Sequence, residues 1–310
     1  MAVINSAFDV LDDLTVEEAL SNPHYLPQKV LEEIDGREVQ KLFFRDITTP
    51  SNVIGWKDRA VPGLEDGVQN VAEFGVIPVS DPTDGAKTHY KSLNKKGIGI
   101  RVSYEQIKDN DTDAVKRELV ARKNEILRAN VTEALAALRE ADIQEHTAQS
   151  AWDQQGSDPA RDVLDAIDII LGAEDDNGHY FEYQPNVIWI NPLTLNILKS
   201  NENVLKHYVG NMASENPYFK GISDQPQIFG GLDVAASFYV PKGEAYIGVQ
   251  REAGFMAQRE PQQITEFYAE RGESKLLGAT MSQRSDYVHR RVFGIDAPKS
   301  VVKLSGLVTG

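Results

Sequence analysis

Between Val115 and His146 the chain carries no glycine or proline, and Val115, Leu119, Ile126, Leu127, Val131, Leu135 and Leu138 recur three, four or seven residues apart. That spacing lines one stripe of a helix. Lys116, Arg117, Glu118, Arg122, Lys123, Glu125 and Arg128 are left for the remaining surface. Asp111 or Asp113 can cap the start, so the pattern predicts a helix over 111–148. A helix of roughly 35 residues spans about 50 Å, well beyond the mean globular helix of about three turns. It would serve as a spine.

Ahead of it, Gly97 to Ser103 alternates, with Ile98, Ile100 and Val102 on one face of a strand. Residues 49–97 read as a protruding two-stranded hairpin: a strand at Val53–Trp56, turns at Pro62-Gly63 and Glu65–Gly67, an extended run from Val71 to Val79, a reversal at Asp81–Gly85, and a return from Lys87 to Leu93. Such a ribbon is marginal alone in water and needs a surface to rest on. In residues 1–48 the apolar groups are short and interrupted by acids, and Pro23 and Pro27 interrupt helical continuity. This predicts an extended arm with one short helix near Val16–Leu20, or else a frayed terminus. Removing residues 1–30 is then expected to leave a folded monomer that assembles poorly.

After the spine, Asp158 as N-cap, Pro159 in the first turn and Gly172 as stop bound a second helix, with Val163, Leu164, Ile167, Ile170 and Leu171 as its apolar face. Pro185 to Ile190 is a continuous apolar strand, and Asn191-Pro192 opens a short helix through Leu198. A polar loop over 201–227 holds Tyr208, Tyr218 and Phe219. Short strands are expected at Leu232–Val240, Ala245–Val249 and Phe255–Ala257, with a break at Glu260–Gln263. Further strands follow at Ile264–Ala269, around Lys275–Gln283, at Tyr287–Ile295 and at Ser300–Leu304. The class is α+β.

The 310 residues suggest about two compact units. There is no cysteine, which removes disulfides, thiolate metal sites and cysteine nucleophiles and fits a reducing cytosol. The start Met1 to Asp9 lacks a signal pattern and no stretch is apolar enough to cross a bilayer, so cytoplasmic synthesis and no membrane partner are expected. A formal net charge of −15 opposes specific nucleic-acid binding.

Candidate chemistry is sparse. The phosphate-cradling loop, the dinucleotide fingerprint, the GxSxG elbow and the HExxH pair are missing. Asp109 to Asp113 starts like a calcium loop, but Ala114 and Val120 stand where glycine and glutamate are needed. These acids read as solvated residues at a helix N-terminus. His24, His89, His146, His179, His207 and His289 lack ligand spacing and read as surface or hydrogen-bonded residues. Trp56, Trp152 and Trp189 read as core or contact anchors. No cofactor, metal or catalytic residue is expected.

The order of elements resembles the Hong Kong 97-type major capsid proteins of tailed bacteriophages, over about residues 37–305. Arg45-Asp46-Ile47 before the Trp56 strand resembles the lead-in to that family's E-loop, and Val71 to Asp81 its alanine–glutamate…proline stretch. Val102 to Glu105 before Asp109 resembles the step into its spine helix, and Asn186 to Pro192 its strand–asparagine–proline corner. Ile228 to Val234, and then Val240 to Gly248, resemble its later glycine-led strands.

The resemblance implies an N-terminal arm (1–48), an E-loop hairpin (49–97), a peripheral domain with the spine (98–185), an axial domain (186–261) and return strands of the peripheral domain (262–310). It implies subunit contacts through Trp56, Phe74, Val76, Ile77 and Tyr90, and a spine core of Leu119, Leu127, Val131, Leu135 and Leu138. Copies would form hexamers and pentamers of an icosahedral shell assembled in the bacterial cytoplasm, touching packaged double-stranded DNA non-specifically. Scaffolding, portal, and decoration or minor capsid proteins are further implied partners. Some members crosslink through an E-loop lysine; residues 71–80 contain none, which speaks against that bond here. Two rivals remain: a protein-enclosing encapsulin shell, and an oligomeric cytosolic enzyme with a helical seam at 115–138.

Overall fold

The computed structural model describes residues 14–35, 38–61, 64, 68–81, 87–175, 178–204, 227–228, 231–270 and 280–309. The expected turns at Pro62-Gly63, Glu65–Gly67 and Asp81–Gly85 lie wholly or largely outside them. So do most of the 201–227 loop with its three aromatics, residues 271–279 and His207.

Two sheets share one long helix. In the first, β1 (Phe44–Thr48) runs parallel to β10 (Gly254–Ile264), which pairs antiparallel with β12 (Ser282–Ile295). The short β11 (Tyr268–Ala269) pairs with the start of β12, and β4 (Asn94–Ser103) covers the opposite edge of β12 from Ser282 to Arg291. The second sheet has the order β5 (Gln144–Thr147), β13 (Val301–Ser305), β9 (Glu244–Gly248), β6 (Val187–Ile190), β8 (Leu232–Ala236), β7 (Gln227–Ile228). It therefore draws strands from both sides of the 186–261 span. A separate ribbon joins β2 (Val53–Lys57) to β3 (Thr88–Ser92).

The spine, α4, spans Thr112–Glu140, with Asp111 as N-cap accepting from the Ala114 amide. Its 29 residues extend about 43 Å. It stops short of the expected 148 although no breaker intervenes, because Gln144–Thr147 pairs in parallel with β13. A strand partner outweighs the helical preference of Gln144 and Glu145. A short helix, α3 (Tyr104–Lys108), capped by Ser103 and Gln106 in a reciprocal box, also separates β4 from the spine.

The apolar stripe is buried at Val115, Leu119, Ile126, Val131, Leu135 and Leu138, whereas Leu127 is only partly covered. Arg122 and Lys123, expected on the surface, are buried as well. Lys123 reaches Glu33 at 2.6 Å, and Arg122 reaches Ser285 of β12. Their long aliphatic stems let these residues line a covered face.

The burial of that face also corrects the reading of residues 14–35 as an extended arm. They form α1 (Val16–Ser21) and α2 (Tyr25–Asp35), whose Val16, Leu20, Leu26, Val30 and Ile34 pack on Val115, Leu119 and Ile126 of the spine. Pro27 falls in the first turn of α2, where its missing N–H is unused. Asn110, just before the spine, accepts from the Val16 amide at 2.8 Å.

The C-terminal half of the spine packs between the sheets, against Phe43, Phe44, Trp189, Tyr246, Met256, Phe293 and Val301. Val187 and Trp189 face this cluster, while Ile188 and Ile190 face the core beneath α5 (Pro159–Leu171) and α6 (Pro192–Ser200). Burial on both faces is why β6 reads as an unbroken apolar run. Asp158 and Asn191 cap α5 and α6 as expected. The inward face of α5 is Ala160, Val163, Ala166 and Ile170; Leu164 and Leu171 are exposed instead. The small alanines let the helix approach the sheet closely, which turns those leucines outward. The expected break at Glu260–Gln263 is a bulge within β10, where Pro261 is tolerated because the register with β12 shifts there.

Candidate interaction surface

The β2–β3 ribbon is tied to the body at its base. Trp56 Nε1 donates to the Ile295 carbonyl at 2.8 Å, and its ring stacks on His89 and meets Phe255 edge-on. Arg45 and Arg59 both reach Asp296, and Arg59 also pairs with Glu252. Lys91 holds Glu140, the last residue of the spine, at 2.6 Å. Trp56, expected as a contact between subunits, is thus half-buried as the anchor of its own hairpin. Tyr90 is largely exposed and lies across Gly55, where an added Cβ would come within 2.8 Å of the ring.

Beyond the base the chain leaves the body. Residues 68–81 form no strand, so the extended run expected over Val71–Val79 carries no strand pairing. Phe74 is 99% exposed, Val76 92% and Ile77 77%, with Val68, Val71 and Val79 also open to solvent. Contiguous apolar exposure on this scale marks an interaction surface. Of the five expected contact residues, Phe74, Val76, Ile77 and Tyr90 are available to a partner. Of the five spine residues, Leu119, Val131, Leu135 and Leu138 are buried and Leu127 is partly so.

A polar layer lies between the spine and the first sheet. Arg291 donates to Asn130 Oδ1 and sits 3.5 Å from Glu133. Asn130 and Gln40 donate to Glu38, as does Gln262, which in turn accepts from the Tyr287 hydroxyl at 2.8 Å. Beside them His289 is 3% exposed with neither ring nitrogen bonded, so it is not the surface or hydrogen-bonded residue expected. Burial, with Arg291 adding repulsion, pushes its pKa down to about 4. Burial likewise raises Tyr287, and it raises Tyr183 and Tyr246 to about 12.

Tyr287 and His289 neighbour each other, but among the described residues the perturbed groups do not converge on a cleft with a nucleophile and base. Among the described residues, no cluster of His, Asp or Glu has the arrangement of a metal site. No described helix is long and apolar enough to cross a membrane. Sequence reasoning missed Glu38, Arg122, Lys123 and Asn130. The only available signal was polar residues falling on the apolar stripe of the spine.

Comparison with known proteins adds an independent line. A family described as phage capsid protein matches residues 86–304, more than half the chain. No curated protein sequence matches. Among solved structures, the fold is similar to the virus-like particle from Pyrococcus furiosus, at 12% identity over 91% of this chain and 98% of that one, TM-score 0.56. It is similar to a chain of Mycobacterium phage Bobi at 14% identity over 88% and 90%, TM-score 0.56. It is also similar to the capsid of Myoviridae Phage XM1 at 10% identity over 86% and 90%, TM-score 0.54. At such identities the likeness is one of fold.

Proposed function

Because the chain belongs to the phage capsid protein family, we propose that its copies group into hexamers and pentamers of an icosahedral head enclosing double-stranded DNA. It is a structural major capsid protein with the Hong Kong 97-type fold, not an enzyme, and its place is the virion capsid. The observation that supports the assembly reading is the apolar segment 68–81, which stands clear of its own body with Phe74, Val76 and Ile77 in solvent. Burial of that surface against a neighbouring copy is the favourable event that assembly supplies.

In this reading the first sheet and the spine form the peripheral unit, and the second sheet with α5 and α6 forms the axial unit near the capsomer centre. Assembly takes place in the host cytoplasm, with scaffold, portal and decoration proteins as further partners. Residues 71–80 lack lysine, so subunits hold together without a covalent bond from this segment.

The test is electron microscopy and mass measurement of the purified protein. Megadalton shells, or free capsomers of five or six copies, are expected, and heads from infected cells should contain DNA. A small fixed oligomer at every concentration would overturn the reading. Shells filled with protein cargo and free of DNA would favour a nanocompartment instead.

A further inference from the structure

A groove of about 530 Å³ runs between β4 and the spine, lined by Ile98, Ile100 and Ala121 and by three arginines, Arg101, Arg122 and Arg284. Two of the arginines are committed elsewhere. Arg101 and Arg284 both reach Glu270, and Arg284 also holds Asp286 at 2.8 Å.

Arg122 is different. It is 1% exposed, and its Nη1 donates to the carbonyl and hydroxyl of Ser285 at 3.2 and 3.0 Å, while Nε and Nη2 meet no acceptor. Those two nitrogens form one edge of the guanidinium, the edge that receives both oxygens of a carboxylate. Burial lowers its pKa to about 10, with Asp286 acting partly against the shift. Arginine remains charged, so the fold holds a covered cation with three of its five donors idle. The groove's own acids do not answer it: Glu118 accepts from Gln106 at 3.3 Å, and Glu125 pairs with Arg128 at 3.4 Å. Gly99 lets Asp286 and Arg284 of β12 lie close over β4, since a Cβ there would fall 2.4 Å from Asp286 Oδ1.

The same molecule carries a surface of matching chemistry. Between Val68 and Ser80 the only ionisable side chain is Glu73, set among exposed apolar residues. The Gly75 amide donates to the Ala72 carbonyl at 2.8 Å, closing a turn with Glu73 and Phe74 at its corner. Phe74 has a φ of 67°, a conformation that bulky residues rarely adopt.

We propose that Glu73 of one copy enters this groove on a second copy, its carboxylate closing on the Nε–Nη2 edge of Arg122 while Phe74 covers Ile98, Ile100 and Ala121. The inference rests on the shell reading and names the partner site of the exposed segment.

A cysteine-free chain suits the test. Particles of the Glu73→Cys/Ala121→Cys double variant, oxidised with diamide, should give a ladder of covalent oligomers on a denaturing gel that collapses with reductant. Neither single variant should give it. Particles without a ladder, or an equal ladder from Glu73→Cys alone, would overturn the inference while leaving the shell reading intact. Failure of the unaltered protein to form shells or capsomers would instead sink the shell reading, and the inference with it.

A second measurement stands whether or not the cysteine variant assembles. Glu73 is exposed, so Glu73→Gln should leave the melting temperature of the free subunit unchanged. Particle yield should fall at least about tenfold, as when a buried charge pair gives up one partner. Normal yield would refute the pairing. In an Arg122→Met background Glu73→Gln should cost nothing further; equal losses in both backgrounds would refute it too.

Discussion

His289 and Asn130 lie within the polar layer between the spine and the first sheet, and both have consequences that can be measured. Burial holds the His289 pKa near 4 against an ordinary value of 6.5. The unfolded chain therefore binds this proton first as pH falls. Stability from keeping the ring neutral is present above about pH 6.5 and is lost progressively down to about pH 4, on the order of 3 kcal/mol in all. His289→Phe should remove that component, seen as a flatter dependence of the urea midpoint on pH across this window. An unchanged slope would show that the ring charges freely in the folded state. Asn130 accepts from Arg291 and donates to Glu38, so Asn130→Ala removes one partner from each of two buried ionic groups. A loss of about 2–3 kcal/mol in equilibrium unfolding is expected.

The spine is the element on which the other parts pack. Leu135 is buried between the two sheets, whereas Leu127 is only partly covered. Leu135→Ala should cost about 3 kcal/mol and Leu127→Ala about half that, the difference reflecting the cavity left behind. Equal costs would mean that the stripe is rotated from the arrangement described. The α1–α2 pair covers the other half of the same helix, which reverses an expectation drawn from sequence. Deleting residues 1–35 would bare Val115, Leu119 and Ile126, so the truncated subunit should melt at a lower temperature and aggregate. A truncated protein as stable as the full chain would show that this packing contributes nothing.

For the whole molecule, folding and assembly are separable. Phe74 and Ile77 are exposed, so Phe74→Asp with Ile77→Asp should leave unfolding of the subunit unchanged and prevent shells from forming, as read by light scattering. Assembly of this variant would move the contact elsewhere. The net charge of −15 adds repulsion between copies that apolar burial must offset, and salt should favour assembly by screening it.

The order of elements was legible because their signals are local. A glycine-free stripe specifies the spine, Asp158-Pro159 and Asn191-Pro192 start helices, and a run of four apolar residues marks β6. The exposed apolar stretch in the hairpin was legible too, as residues with nothing nearby to bury them. Other features depended on which surfaces meet. Gln144–Thr147 became strand because β13 lay beside it, and Pro27 was admitted to a helix by its place in the first turn. Arg122 and Lys123 went inside because β12 and α2 covered their face of the spine. Periodicity sets which residues share a side of an element, while the partner that covers that side comes from residues distant in the chain. For that reason the sequence alone determined the elements and their order, and only the tertiary structure decided where the spine ends, what clasps it, and which of its charges lack an answer.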